Sequence, residues 1–278
     1  MPGGNANWLV TGPGGDPLVL RGHHADATPD DLAWQDTVLR HLAAAGWTVP
    51  APVDGLTEYE GRWYGLNQYV PGQPARPEDR DQQVQRGRQL ARLQLALRGL
   101  GDRIRQRPGW RPQHTGPTVL TSLDWDALVS ALAAASPRLA AWAQVAAAAA
   151  RRALADVGVA DLPVTVVHGD FAEWNVHYTG GRLTGVIDFE LSHLDSRPFE
   201  LAMARTYRAP AVVAAYRAEL ARLGWPLSPL EEAAIDPVYR AVRVGLAAWP
   251  MEQGRRTGRF DLAVIERQLS RSGTSPPR

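Results

Sequence analysis

Four side chains in the stretch VVHGDFAEWNVHYTGGRLTGVIDFE, residues 166–190, have the types and the order that a chemical site needs: His168, Asp170, Asn175 and Asp188. A transferred phosphoryl group asks little covalent help of a protein. It needs an aligned acceptor oxygen and cations beside the developing charge. Asp170 is the candidate base that takes the proton of an acceptor hydroxyl and orients it. Asn175, through a neutral amide oxygen, and Asp188, through a carboxylate, are candidate ligands for a hard cation that prefers oxygen and keeps part of its water shell, as Mg2+ does. His168 belongs to the same catalytic loop, where an imidazole serves more readily as a hydrogen-bonded brace than as a second base.

The elements that must position these groups are legible around them. Val164 to Val167 is an apolar run that reads as a buried strand feeding the loop, and Leu183 to Ile187 reads as another leading into Asp188. Thr179, Gly180 and Gly181 between them are hairpin-turn residues. The acidic groups therefore fall where loops leave rigid strands, which holds them in register. A chance cluster of histidine, glycine and aspartate, with Asp188 merely capping a turn, is the competing explanation. The full ordered set with strand patterns on both sides weighs against it.

Elsewhere the N-terminal part reads as a small sheet with one helix. Asn7 to Val10 and Pro17 to Arg21 are strands separated by the turn TGPGGD. Thr28 to Ala45 has helical apolar spacing, with Thr28 as N-cap, Pro29 at the first helical position and Gly46 at the exit. Arg62 to Val70 is a further strand, stopped by Pro71 and Gly72. Composition then shifts toward arginine, alanine and leucine. Gln82 to Leu97 is a helix whose arginines read as a solvated face, and residues 124–156 are alanine-rich helix interrupted at Pro137. Helices over Pro198 to Tyr207, Ala209 to Leu223, Leu230 to Trp249 and Asp261 to Leu269 complete the chain. The expected organisation is residues 1–70 as one lobe and residues 71–278 as a second, with 71–81 a connector and 273–278 a frayed tail.

The whole chain narrows the chemistry further. All 30 of its basic side chains are arginine, with no lysine, so a P-loop lysine and Schiff-base chemistry are excluded. No cysteine is present, which excludes disulfides, thiolate metal sites and cysteine nucleophiles. A net charge of +1 gives no expectation of nucleic acid or an anionic membrane as partner. No apolar run approaches a membrane span and the start lacks the sections of a signal peptide, so the expected location is cytoplasmic.

The segments HGDFAEWN, VIDFE and DSRPFELA resemble the aminoglycoside phosphotransferase and choline kinase family, including its homoserine-kinase-like bacterial members. Weaker likeness extends to GGNANWLV, LVLR, WTVPAPV and NQYVPGQP. The resemblance implies an α+β fold of the two-lobed protein-kinase-like kind, with a small antiparallel sheet lobe carrying one helix and a larger, mainly helical C-terminal lobe. It implies a nucleotide-covering turn at Gly4 and Asn5, and a hinge where backbone groups near Gln68 and Val70 read the adenine edge. Arg21 takes the place of the family's phosphate-binding lysine, offering a planar fork instead of a point charge. The family's helical glutamate that pairs with that cation aligns with Gln35, beside Asp36, so a hydrogen bond replaces a salt bridge there.

The implied activity is O-phosphotransfer from ATP or GTP, with Mg2+, to a hydroxyl of a small molecule such as an aminoglycoside, an amino sugar or an amino alcohol. Trp174, next to Asn175, is placed to shape the acceptor pocket. Glu190, His193 and Asp195, just after Asp188, are acceptor candidates, as are the wall residues Tyr207, Trp249 and Glu252, although ordinary surface placement explains each equally. Two other readings stand beside this one: a nucleotide-binding pseudoenzyme, motivated by Arg21 and Gln35, and a protein kinase. Against the latter, the loop reads HGD in place of HRD, no glycine follows IDF, and no APE segment follows.

Overall fold

The computed structural model describes residues 5–108, 120, 124–204 and 210–276, in two compact units. One comprises residues 1–110, 165–194 and 206–225; the other comprises 111–164, 195–205 and 226–278.

The first unit opens with an antiparallel sheet of β1 (Ala6–Thr11), β2 (Pro17–Gly22), β3 (Thr57–Tyr59) and β4 (Arg62–Gln68), in the order β1-β2-β4-β3. The register sets Asn7 opposite Arg21 and Arg21 opposite Gly65, so Arg21 projects from the middle of the sheet. Helix α1 (Pro29–Ala44) buries Leu32, Trp34, Val38, Leu39 and Leu42. Thr28 caps it, its hydroxyl accepting from the Asp31 amide at 3.3 Å. Helix α2 (Arg80–Gly101) is capped by Asp79 and packs against a later helix of the same unit, Pro210–Arg222. The two come so close that a Cβ on Gly87 would lie 2.3 Å from the Val212 carbonyl oxygen.

Two further groups of strands carry the site. Strand β5 (Gln73–Pro74) pairs with β7 (Val176–Thr179), which pairs with β8 (Arg182–Val186), and Gly180 and Gly181 both have positive φ in the turn between the last two. Strand β6 (Val164–Val167) leads into the His168 loop, and β9 (His193–Ser196) follows the Asp188 turn. The short strands β3 and β5 lie in segments without the alternating apolar pattern that identifies a strand from sequence.

The second unit is helical. Here α3 (Trp125–Ala135) and α4 (Pro137–Val157) are separate helices: Ser136 ends one and caps the other, and Pro137 stands at a first-turn position, where its missing N–H costs nothing. Helix α5 (Arg197–Ala204) follows β9, and the rest of the expected Pro198 to Tyr207 segment lies outside the described residues. With the first unit's helix Pro210–Arg222 as α6, the remaining helices are α7 (Pro229–Thr257) and α8 (Leu262–Arg271). The sequence pattern ends α7 at Trp249, yet it runs through Pro250 to Thr257. Burial of Pro250, Met251 and Gly254, the last against the Phe260 ring, holds the extra turns despite the lost backbone bond. Arg197 donates to Glu231 at 2.7 Å, a buried ion pair that fixes the start of α5 on the start of α7. Among the described residues no helix is long and apolar enough to cross a membrane.

Candidate active site

The candidate chemical residues gather at the ends of β6, β7 and β8. Val176 pairs with Val186, and the Ile187 amide donates to the Asn175 carbonyl at 2.9 Å, so the residues that precede β7 and follow β8 are held side by side. His168 closes the third edge. Its Nε2 lies 2.9 Å from the Ile187 carbonyl, and its Nδ1 accepts from the Asp170 amide at 3.2 Å. An accepting Nδ1 puts the proton on Nε2, which donates to Ile187. Burial drops its pKa to about 4 against the weaker opposing effect of that carbonyl, so the ring is neutral above that range. Its two nitrogens are thus spent on holding the Asp170 loop to the Asp188 strand. Gly169 makes the loop possible: φ is 84° and a Cβ would stand 2.1 Å from the Leu191 carbonyl oxygen.

Asp170 receives two donors on one oxygen. Nδ2 of Asn175 reaches Oδ2 at 3.0 Å and the Asp170 carbonyl at 2.9 Å, and the Trp174 indole N–H reaches Oδ2 at 3.2 Å. Both side-chain bonds fall on Oδ2, which leaves Oδ1 to receive a proton. Burial pushes the Asp170 pKa up to about 6; the Trp174 bond works against that rise and the nearby Asp188 charge adds to it. A carboxyl that deprotonates just below neutrality suits a general base. Because Asn175 donates through Nδ2, its amide oxygen is left for a cation.

Asp188 sits in the left-handed region at φ 63°, one of two non-glycine residues with positive φ among the described residues. Such a backbone is strained for most side chains and is found where the surroundings impose it. Its Oδ1 is buried and accepts no hydrogen bond, although Nη2 of Arg21 lies 3.6 Å away. A buried carboxylate oxygen without a hydrogen bond, with an asparagine amide on the adjoining turn, fits a magnesium ion that takes one or two protein ligands and completes its shell with phosphate and water. Among the described residues no cluster of three or more His, Asp or Glu side chains is placed to hold a metal ion.

Arg21 is bound differently from the sequence expectation. Its Nη2 donates to Glu190 Oε2 at 3.1 Å, and among the described residues no hydrogen bond joins it to Gln35, which is buried. Glu190, expected at the acceptor, instead holds the N-terminal sheet: Asn5 Nδ2 donates to Oε2 at 2.6 Å and His24 Nε2 stands 3.8 Å from Oε1. The Asn5 Oδ1 accepts from the His24 amide at 2.9 Å, which fixes the start of β1 beside the end of β2.

The other candidates are dispersed. Gly4 and Tyr207 lie outside the described residues. The Gln68 amide is engaged by the Ala51 carbonyl at 2.9 Å, so a base bound along this segment must find other backbone groups, and Val70 is buried. His193 is 1% exposed, turned inward on β9 with Nδ1 2.8 Å from the Leu191 carbonyl, and presents no surface to an acceptor. Asp195 belongs to the second unit and accepts from the Ser196 amide at 2.6 Å. In that unit Trp249 is exposed, while Glu252 is taken up by Arg255 on the next helical turn. Trp174, 40% exposed, stands over Asp170.

Two arginines that brace the site were not singled out from sequence. Arg86, read as part of a solvated helix face, is fully buried: it donates to the Phe171 carbonyl at 2.9 Å and to Gln83 Oε1, and lies 3.7 Å from the buried Glu173 carboxylate. Arg107 forks onto Asp31 of α1, with Nη2 to Oδ2 at 2.8 Å, and its Nη1 reaches the carbonyls of Glu190 and Ser192, the latter at 3.1 Å. Neither has a local signal, because the carbonyls they hold come from loops far along the chain.

This arrangement agrees with what the chain is similar to. The phosphotransferase enzyme family model matches residues 2–235, and the chain belongs to that family. The homoserine kinase of Gluconobacter oxydans is 26% identical over 209 residues, covering 72% of this chain and 61% of that protein; the chain thus spans about three-fifths of its relative's length. Two solved structures share the fold. An aminoglycoside phosphotransferase from Alicyclobacillus acidocaldarius matches with a TM-score of 0.68 at 18% identity, over 96% of this chain and 85% of the other. Amicoumacin kinase hAmiN in complex with AMP-PNP, Ca2+ and Ami matches with 0.69 at 12% identity, over 98% and 86%. The fold is therefore α+β of the protein-kinase-like kind, a small antiparallel sheet region with one helix joined to a mainly helical remainder.

Proposed function

We propose that the protein is a small-molecule O-phosphotransferase that uses ATP or GTP with Mg2+ and acts on a hydroxyl of an amino alcohol such as homoserine, an amino sugar or an aminoglycoside. The observation that carries this reading is that Asp170, Asn175 and Asp188 stand on turns bonded to one another, with Asn175 Nδ2 on Oδ2 of Asp170 and Oδ1 of Asp188 buried without a hydrogen bond. The homoserine kinase relative and the complex of hAmiN with AMP-PNP, Ca2+ and Ami support the same class of reaction.

In this reading Asp170 orients the acceptor hydroxyl and takes its proton. Asn175 keeps that carboxylate in place through Nδ2 while its amide oxygen and Asp188 hold the metal. A bound magnesium ion would supply charge neutralisation at the phosphates. Arg21 grips phosphate oxygens from the sheet side, Asn5 flanks that grip through Glu190, and the strand end at Gln68 and Val70 flanks the base. Residues 1–70 then form the nucleotide lobe and residues 71–278 the helical lobe of a cytoplasmic enzyme. Trp174 borders the acceptor.

The test is transfer of label from γ-labelled ATP or GTP to a panel containing homoserine, choline, amino sugars and aminoglycosides, alongside slow transfer to water, which needs no chosen acceptor. Magnesium-dependent transfer that disappears in Asp170→Ala is the expected result. Absence of magnesium-nucleotide binding, or transfer that survives Asp170→Ala undiminished, would overturn the proposal.

A further inference from the structure

We propose that Glu190 is the positioning residue for Arg21, taking over from the turn after Asp188 the part that a helix residue at Gln35 does not play. This rests on the reading of Arg21 as a phosphate-binding group. A guanidinium on a flexible stem is useful for recognition only if something fixes its plane, because ordering a long side chain costs conformational entropy. Gln35 is neutral and makes no bond to Arg21 among the described residues. The Glu190 carboxylate does: Oε2 takes Arg21 Nη2 at 3.1 Å and, on the same oxygen, Asn5 Nδ2 at 2.6 Å.

Glu190 is itself firmly seated. Its carbonyl accepts from Arg107, whose fork is anchored on Asp31 in the first turn of α1. The helix therefore reaches the guanidinium by a relay, Asp31 to Arg107 to Glu190 to Arg21, in place of a direct contact. An arginine can sustain this arrangement during binding. Its five donors lie in one plane, so one edge can stay on the carboxylate while the others meet phosphate oxygens, and Nε of Arg21 is buried with no hydrogen-bond partner among the described residues.

Glu190 also governs a competition. Arg21 Nη2 lies 3.6 Å from Oδ1 of Asp188, a proposed metal ligand, and 3.1 Å from Glu190. The Glu190 carboxylate, as the nearer partner, holds the guanidinium off Asp188, which keeps its oxygen for the metal. With glutamine at position 190 the attraction of Asp188 is unopposed, and the guanidinium turns onto the group that the metal needs.

The experiment measures binding and does not require an acceptor. The dissociation constant for AMP-PNP in saturating magnesium is determined by calorimetry for the wild type, Glu190→Gln, Arg21→Gln and the double variant, with circular dichroism confirming the fold of each. Glu190→Gln is isosteric at a partly exposed position. We expect it to weaken binding by about tenfold, the scale of losing one charge-assisted contact. In the Arg21→Gln background the same change should have an effect of less than about twofold, because the two act as one unit. Unchanged binding in Glu190→Gln, additive losses in the double variant, or tighter binding, which would make Glu190 a competitor of the phosphate, each overturn the inference and leave the phosphotransfer reading standing. A wild type that binds no magnesium nucleotide overturns both.

Discussion

The indole N–H of Trp174 donates to Oδ2 of Asp170 at 3.2 Å, so an exposed aromatic ring holds the carboxylate that is proposed as the base. The bond favours the ionised form and restrains the rise that burial produces. Trp174→Phe keeps a flat apolar ring and removes the donor. The acidic limb of kcat/KM against pH, which reports the free-enzyme base, should begin near pH 6 in the wild type and move upward by roughly half a unit to one unit in the variant. A limb that stays in place would separate Trp174 from the base.

Asp170 also links function to stability. Its folded pKa of about 6 lies above the ordinary carboxyl value of 3.8, so the native state binds the proton more tightly than the unfolded chain does. The associated stability is fully present below about pH 3.8 and is lost as pH rises through about 6. Asp170→Asn removes this titration while keeping the shape. The variant should match the wild type near pH 4 and exceed it at pH 7, by no more than about 3 kcal/mol. Thermal unfolding across that range, together with loss of turnover at every pH, is the expected pair of results. A variant less stable than the wild type at pH 7 would refute the sign.

Asp188 combines a charge with a left-handed backbone, and the two can be separated. Asparagine tolerates φ near 60°, whereas alanine does not. Asp188→Asn should therefore retain wild-type stability but lose magnesium-dependent turnover by on the order of 100-fold or more. Asp188→Ala should lose turnover similarly and be less stable than the Asn variant by about 1 kcal/mol. Equal stability of the two variants would show that the turn imposes no strain.

Local chemistry was legible in the chain to the extent that neighbours in sequence decide it. The Thr28 cap, the interruption at Pro137 and the Gly180–Gly181 turn each follow from one or two residues, and the β7–β8 hairpin brings the Asn175 and Asp188 turns together through nearest-neighbour pairing. Contacts that span the chain were not legible. Arg21 and Glu190 are 169 positions apart, and an alignment of helix positions pointed to Gln35 instead. Helical periodicity identified the apolar face of α2, but it prices every arginine as solvated and so missed Arg86, whose partners come from a loop 85 positions away. His193 was placed by its nearness to Asp188 in sequence, whereas at the start of β9 its ring is buried with Nδ1 2.8 Å from the Leu191 carbonyl.

The buried pair of Arg86 and Glu173 gives the sharpest test of how that loop is held. Arg86 supplies donors to Phe171 and Gln83 and is the cation beside Glu173, whose pKa burial raises while Arg86 lowers it. Arg86→Leu leaves a buried carboxylate without its counter-charge and a buried carbonyl without its donor, a class of change that costs about 3 to 5 kcal/mol. The loss should depend on pH in a definite direction. Without Arg86 the folded pKa of Glu173 rises further above its unfolded value, so its contribution is retained at low pH, where the carboxyl is neutral, and lost as pH increases. Urea unfolding should thus show a smaller deficit against the wild type near pH 5 than near pH 8. Adding Glu173→Gln should flatten that pH dependence and recover part of the stability, while the unsatisfied Phe171 carbonyl keeps the double variant below the wild type. A deficit independent of pH would mean that the backbone bond, and not the charge pair, is what Arg86 contributes.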